Sequence, residues 1–331
     1  MLGASSKTRT TGRPVERGHL GEWYHPGMSR SAAFVAICLI AACDPSSPHR
    51  EVKVNLSPST VESAALAARP PSRPLRFSVA AVESPQDTYA SYARLLSRVG
   101  QRLGVEVEFV QRRTYREVND LLASGQLDAA LLCTGGYFDM EARTPGAVEV
   151  LAAPVVHGES TYRSLIIVPA TSTARSLADL AGKRFAFTDE LSLSGRAWAM
   201  NRLQELGKNP DKFFGGVTYT QSHDRSIAGV ASGIVDGAAV HSLVYEHILE
   251  RDPSLASRIR VVERSPPYGL LPIVASTRLD PSERARLKEV LLSLDHDPTA
   301  QESLRQLQIE RFISPPPGLY VSAGRLMEGR R

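Results

Sequence analysis

Two kinds of apolar pattern alternate along this chain. Short runs such as "RFSV" (76–79) and "RFAF" (184–187) have the length and continuity of strands buried on both faces. Longer, polar-led stretches follow each: "ESPQDTYASYARLL" from Glu83 and "ELSLSGRAWAMNRL" from Glu190. In the first, Tyr92, Leu95, Leu96, Val99 and Leu103 recur at helical spacing. A second pair of strands is expected where "VEVEFV" from Val105 is set beside "GGVTYT" from Gly215. Next, "TYREVNDLLASGQLDAALL" lines up with "SHDRSIAGVASGIVDGAAV", giving helix, glycine stop and third strand. The halves stand 108 positions apart, and the doubled Ser-Gly-x-x-Asp corner (Ser124 to Asp128, Ser232 to Asp236) is their clearest common mark.

Two βαβαβ units predict an α/β fold of two lobes, each an open, mainly parallel sheet flanked by helices. Between them "VEVLAAPVV" and "RSLIIVP" are strand candidates, and the latter carries the chain into the second lobe. Later, "SRIRVVERS" supplies a strand and "YGLLPIVAS" a way back, which makes a hinge of two crossovers. "PSERARLKEVLLSL" and "PTAQESLRQL" read as amphipathic helices, and "SPPPGLY" as the end of the ordered chain. The expected segments are a first lobe over 75–165 completed by 270–320, a second over 166–269, and a tail over 321–331. A cleft then lies between the carboxyl ends of the two sets of strands, where open α/β sheets take ligands.

Composition changes this picture mainly at the N-terminus. The 331 residues are 42% hydrophobic and 22% charged, ordinary for a globular chain. Of the formal charge of +4, residues 1–30 hold +3, from Lys7, Arg9, Arg13, Arg17 and Arg30 against Glu16 and Glu22. The rest is nearly neutral and has no basic run, which gives no footing for nucleic acid. "MSRSAAFVAICLIAAC" from Met28 has a basic start, a short apolar core and then Cys43, and resembles a bacterial export signal with a lipobox. Residues 1–43 are therefore expected to be a leader ending at a lipidation site, Cys43, with 1–27 doubtful as protein. The core is too short to span a bilayer, which takes roughly 20 residues. Asp44 beside the lipidated Cys favours inner-membrane retention by analogy. Residues 44–74, with Pro45, Pro48, Pro58, Pro70, Pro71 and Pro74, read as a tether. Cys38 and Cys43 fall in the leader, so Cys133 remains alone in the body, with the character of a small core residue.

The candidate chemistry is that of an anion site. Tyr115 and His223 are 108 apart, and each follows a small hydroxyl residue, Thr114 or Ser222, at a predicted helix start. Ser192-Leu193-Ser194-Gly195 opens another helix. Unpaired N–H groups and the helix dipole favour negative charge there, and hydroxyls add donors. Each of these residues alone reads first as a cap or as packing; their joint placement points to a small oxyanion. Asp128 and Asp236 read as caps of the turn into each third strand. No metal motif, P-loop, nucleophile elbow or dinucleotide fingerprint occurs, so neither a metal, a cofactor nor catalysis is expected.

These residues resemble the phosphonate, phosphite and phosphate substrate-binding lipoproteins of ABC transporters, within the type II periplasmic binding protein fold. The blocks that carry the resemblance are "TYREVNDLLASGQLDAALLCTGGYF", "SLADLAGKRFAFTDELSLSG", "FFGGVTYTQSHDRSIAGVASGIVDGAAV" and "SPPYGLLPIV". The resemblance implies a lipid-anchored monomer on the periplasmic or cell-surface side. It would hold a phosphorus oxyanion through Tyr115, Tyr162, Ser192, Leu193, Ser194 and His223, with His223 able to add charge. Its partner would be an ABC permease and ATPase, or, in the alternative, a sensor kinase; an enzyme on the same fold is a remote third reading. Leu193 departs from the Thr common in the family, leaving backbone donors in place of one hydroxyl. His241 stands where an acidic residue is frequent. "SPPYGLLPIV" lacks the carboxylate that meets the amine of aminoalkylphosphonates.

Overall fold

The structure is a computed structural model that describes residues 73–329. The expected leader, Cys43 and nearly all of the tether lie outside the described residues. The first sheet begins with β1 (Leu75–Val79), β2 (Val107–Phe109), β3 (Ala129–Leu131) and β4 (Val148–Val155). Between them run α1 (Pro85–Leu103), α2 (Tyr115–Ala123) and α3 (Thr134–Arg143). The chain leaves through a short strand, β5 (Thr161–Tyr162), and builds a second sheet from β6 (Ser164–Pro169), β7 (Arg184–Phe187), β8 (Gly216–Tyr219), β9 (Gly237–His241) and β10 (Ile259–Arg264). Its helices are α4 (Trp198–Glu205), α5 (Pro210–Phe213), α6 (His223–Ala231) and α7 (Ser242–Arg251). β11 (Tyr268–Gly269) leads back to β12 (Ile273–Ser276), α8 (Pro281–Leu292), α9 (Pro298–Gln306), β13 (Arg311–Ile313) and α10 (Val321–Glu328).

Strand orders are β13-β4-β12-β3-β1-β2 and β10-β6-β9-β7-β8. Most strands of each sheet run one way; β12 and β13, and in the second sheet β6, oppose them. The two connecting segments meet as an antiparallel ribbon, with Tyr162 opposite Tyr268 and Thr161 opposite Gly269. That ribbon is the hinge.

The duplication is built into the hydrogen-bond register. Phe77 pairs with Phe109 and Ala129 in the first sheet; Phe185 pairs with Val217 and Gly237 in the second. Every one of these positions differs by 108 from its counterpart. Setting Val105 beside Gly215 is therefore two residues out; Gly215 corresponds to Val107. Both Ser-Gly-x-x-Asp corners close alike. Gly125 and Gly233 adopt φ of 76° and 72°, the left-handed conformation that ends a helix without Cβ strain. Each Asp then grips the Arg that opens the first strand of its unit. Asp128 accepts from the Arg76 backbone N–H at 2.8 Å and from its guanidinium at 2.9 Å. Asp236 does the same with Arg184, at 2.9 and 2.8 Å. The Asp residues thus clasp the turn into each third strand to β1 or β7.

The C-terminal segment departs from expectation. Residues 321–328 form α10, with Ala323, Gly324 and Leu326 buried. Gly324 lies so close to the Phe138 ring that a Cβ would meet it at 3.0 Å. Pro and Gly in "SPPPGLY" announce a break, but the small and apolar residues after it suit a further packed helix. Among the described residues no helix is long and apolar enough to cross a membrane.

Candidate functional site

The strands β1, β3, β7 and β9 all end at one place, and the interlobe face is formed by the residues that follow the first three, Ala80 to Val82, Leu132 to Thr134 and Thr188 to Leu191, and by His241, the last of β9. Two reciprocal hydrogen bonds close it. The Tyr115 backbone N–H, first in α2, donates to Asp189 Oδ2 of the second lobe at 3.1 Å. Its counterpart at 108, the His223 N–H that opens α6, donates to the Val82 carbonyl of the first lobe at 2.9 Å. These are orphan donors of helix starts, satisfied across the cleft. Gly135 in the first turn of α3 permits the approach, since a Cβ there would lie 2.1 Å from the Leu191 carbonyl oxygen.

Every residue predicted for the site is buried there. Tyr115, Tyr162, Ser192, Leu193, Ser194 and His223 are each at most 2% exposed. The hydroxyls of Tyr115, Tyr162 and Ser194 are buried with no hydrogen-bond partner. Tyr115 reaches toward Ser192, and Tyr162 toward Thr134 and Ser194, without bonds of good geometry. Ser192 acts differently. Its Oγ accepts from the Gly195 N–H at 2.9 Å and caps a π-helical turn over Leu193–Ala197. Such turns recur at functional sites. Ser164 Oγ donates to the Ser194 carbonyl at 2.6 Å and fixes the backbone of that turn. Leu193 contributes only backbone to any polar contact.

His223 and His241 form the wall from the second lobe, ring centroids 5.7 Å apart. His223 Nδ1 accepts from the His241 backbone N–H at 3.1 Å and lies 3.0 Å from Thr188 Oγ1. His241 Nδ1 accepts from the Leu243 N–H at 3.2 Å. With Nδ1 an acceptor in both rings, the proton of each neutral imidazole sits on Nε2. His241 Nε2 is buried and unpartnered, and its ring stacks on Tyr162 at 4.0 Å. Burial drives the His223 pKa down to about 3 and that of His241 well below the usual value. The expected charge on His223 is therefore absent, and the ring is a neutral donor. Burial raises Tyr115 and Tyr162 well above the ordinary phenol range, so they too are neutral donors.

Reading the sequence for helix starts missed His241 and three further members of this face. Asp189, buried and raised by burial, latches the lobes. Thr188 orients His223. Cys133, read as core, is the residue before α3 and packs with Ala80, Tyr115 and Leu191 at the bottom of the cleft. Burial pushes its thiol up against the pull of the Leu193, Gly135 and Gly136 N–H groups. A signal was available: adding 108 to Cys133 gives His241, and α3 and α7 begin and end at the same offset.

Two lobes that meet over a buried set of uncharged hydrogen-bond donors define a solute-binding protein of the periplasmic type. The family profile described as "ABC transporter, phosphonate, periplasmic substrate-binding protein" matches residues 77–320, and the chain belongs to that family. Among curated relatives, the probable ABC transporter phosphite binding protein PhnD1 of Prochlorococcus marinus (strain MIT 9301) is 26% identical over 258 residues, 73% of this chain and 85% of that protein. The phosphate-import protein PhnD of Mycolicibacterium smegmatis is 26% identical over 275 residues, 80% of each chain. The solved structure of Prochlorococcus marinus PhnD1 with methylphosphonate has a TM-score of 0.70 at 22% identity, over 77% of this chain and 97% of that one. The last likeness establishes the fold.

Proposed function

We propose that this protein captures a small phosphorus oxyanion (phosphonate, phosphite or phosphate) between its lobes for an ABC importer. The observation that carries the reading is the set of buried, unpartnered donors: the hydroxyls of Tyr115, Tyr162 and Ser194 and Nε2–H of His241. An unmade hydrogen bond on a buried donor costs about 1–3 kcal/mol, so such a set is stable chiefly when a ligand completes it. No lysine or arginine is buried among the described residues, so recognition rests on neutral donors and helix starts. His223 and the N–H groups of Leu193 and Ser194 belong to the same donor set, with Ser192 shaping their turn. The relatives named for phosphite and phosphate, and the methylphosphonate complex, support this ligand class.

Isothermal titration with phosphate, phosphite, methylphosphonate and 2-aminoethylphosphonate tests the reading. At least one is expected to bind at millimolar concentration or tighter, and silence from all four would defeat it. Ser194→Ala and His223→Ala should each weaken binding by about 1–3 kcal/mol. The same reading places the protein outside the cytoplasm, held to the membrane by a lipid on Cys43. Cys43→Ser is then expected to move it from the membrane to the soluble extracytoplasmic fraction.

A further inference from the structure

One nucleophile in the cleft has no part in the oxyanion contacts. Cys133, the residue before α3, is 4% exposed and packs against Tyr115 and Leu191. Burial raises its thiol, against the pull of the Leu193 N–H across the cleft and of the Gly135 and Gly136 N–H groups in the first turn of α3. After burial, Cys133 is the strongest influence that raises the Tyr115 and Tyr162 phenols, so its sulfur lies near both rings. Their hydroxyls, and that of Ser194 beside Tyr162, are buried without a partner. A thiol sulfur is a weak acceptor and does not satisfy them.

We infer that Cys133 is an oxidation site, and that the oxygen a peroxide adds to its sulfur takes the place of a ligand oxygen among these donors. The inference shares the donor set of the oxyanion reading but needs no free ligand. When the lobes part, Leu191 and Leu193 leave with the second lobe. Cys133 stays at the start of α3, whose N–H groups favour a thiolate. The thiolate sulfur attacks one oxygen of hydrogen peroxide; an S–O bond forms, the O–O bond breaks, and the other oxygen leaves as hydroxide. Sulfur loses two electrons and the peroxide gains them. Hydroxide takes the proton of the sulfenic acid, giving water and a sulfenate, which is a tethered oxyanion. As the lobes close, the hydroxyls of Tyr115, Tyr162 and Ser194 donate to its oxygen, which fills the site from within and excludes free ligand. No other cysteine lies among the described residues, so no neighbouring thiol there converts the sulfenate to a disulfide.

The test treats the full chain with hydrogen peroxide, removes the excess and maps oxygen uptake at Cys133 by peptide mass, with a cyclic diketone to trap sulfenate in a parallel sample. Oxidised protein should melt at a higher temperature than untreated protein and bind phosphite roughly tenfold more weakly or worse. Dithiothreitol should reverse both changes, and phosphite present during treatment should slow the oxidation. Cys133→Ser, compared before and after the same treatment, should show neither change. If that variant does not fold, the dithiothreitol reversal makes the same comparison in the wild type. No oxygen at Cys133 overturns the inference, as does a melting temperature that stays or falls on its oxidation, or phosphite affinity that survives it. If untreated protein binds none of phosphite, phosphate and methylphosphonate, the oxyanion reading falls instead. Oxygen uptake and the rise in melting temperature then still decide the role of Cys133.

Discussion

The two lobes are alike where they hold themselves together and unlike where they face each other. At an offset of 108 both repeat the parallel register, the left-handed glycine and the Arg–Asp clasp. At the same offset the cleft-facing positions diverge: Tyr115 answers to His223, Cys133 to His241, Gly135 to Leu243. In a duplicated fold, the matched residues mark scaffold and the mismatched ones at strand ends mark chemistry. Even the shared clasp differs in setting. The Asp128 side chain is 4% exposed and gathers both Arg73 and Arg76, whereas that of Asp236 is 37% exposed with Arg184 alone. Burial lifts the Asp128 carboxyl, but the Arg76 and Arg73 hydrogen bonds outweigh it and hold the pKa below the usual value.

The largest expected effect separates those clasps. Asp128→Ala removes the acceptor of the Arg76 backbone N–H and leaves the Arg76 guanidinium with the Gly125 carbonyl alone. Asp128 is buried but Arg73 and Arg76 reach water, 59% and 27% exposed, so the cost is that of charge-assisted hydrogen bonds, about 1.5–3 kcal/mol. Asp236→Ala removes a surface pair, worth about 0.2–1 kcal/mol, together with one backbone acceptor. Chemical denaturation of both variants should show Asp128 costing at least twice as much; equal losses would make the clasps equivalent despite their burial.

Gly135→Ala comes next, and it acts on closure rather than folding. The added Cβ meets the Leu191 carbonyl of the other lobe, a backbone atom that cannot rotate away. Overpacking of this kind costs about 1–3 kcal/mol, and here it falls on the closed form. Oxyanion affinity should drop roughly 5- to 150-fold, while the melting temperature without ligand changes little. The counterpart in the second lobe is already Leu243, so the lobes cannot be exchanged at this position.

Most of the architecture is written in local signals. Apolar runs, glycine stops and the Ser-Gly-x-x-Asp corner place the strands and helices, and one offset relates them. Part of the candidate donor set is legible for the same reason, since Tyr115, Ser194 and His223 follow strands at helix starts, whereas Tyr162 enters only through the family resemblance and His241 stands outside the expected site residues. Asp189 and Thr188 are not legible, because their roles exist only across the cleft or between strand ends distant in sequence. Cys133 looks apolar in a run ending "AALLC", and only the doubled topology brings it to the cleft. The helix over 321–328 escaped notice because a Pro/Gly break says where an element stops and nothing about the next.

Between pH 6 and pH 5, above the range of the paired carboxylates, the pH response of the cleft should come from the two imidazoles of the second lobe. Burial pushes Tyr115 and Cys133 up and keeps them neutral through the acid range. It pushes His223 down to about 3 and His241 well below its usual value. An unfolded chain takes up protons at both imidazoles below about pH 6.5, and the folded one refuses them. The stability they support is therefore complete above about pH 6.5 and is lost as pH falls toward 3. The slope is about 1.4 kcal/mol per pH unit for each ring. Thermal melting between pH 6 and pH 5 should show His223→Gln flattened by about that amount relative to wild type, and Tyr115→Phe unchanged in slope. A Tyr115→Phe slope that also flattened would place the acid sensitivity in the shared cleft rather than in one lobe.

The smallest effect reverses sign between equivalent positions. Gln221, two residues before His223, adopts φ of 65°, in the left-handed region that glycine occupies without strain. Its backbone N–H donates to the Thr188 carbonyl at 2.8 Å, and its Oε1 is buried without a partner. Arg113, at the same place in the first lobe, is exposed and precedes a complete capping box of Thr114 with Glu117. Ser222 makes no such cap, and its Oγ is buried and unpartnered. The turn leading into α6 is thus held in a strained form beside the donor set, and the turn leading into α2 is relaxed. Gln221→Gly keeps the backbone hydrogen bond and relieves the φ strain, so stability should rise by about 0.5–1 kcal/mol despite the more flexible unfolded chain. Arg113→Gly should lower it by about the same amount. If both substitutions destabilise, the strain at Gln221 is not what distinguishes the two helix starts, and the missing cap at Ser222 carries the difference alone.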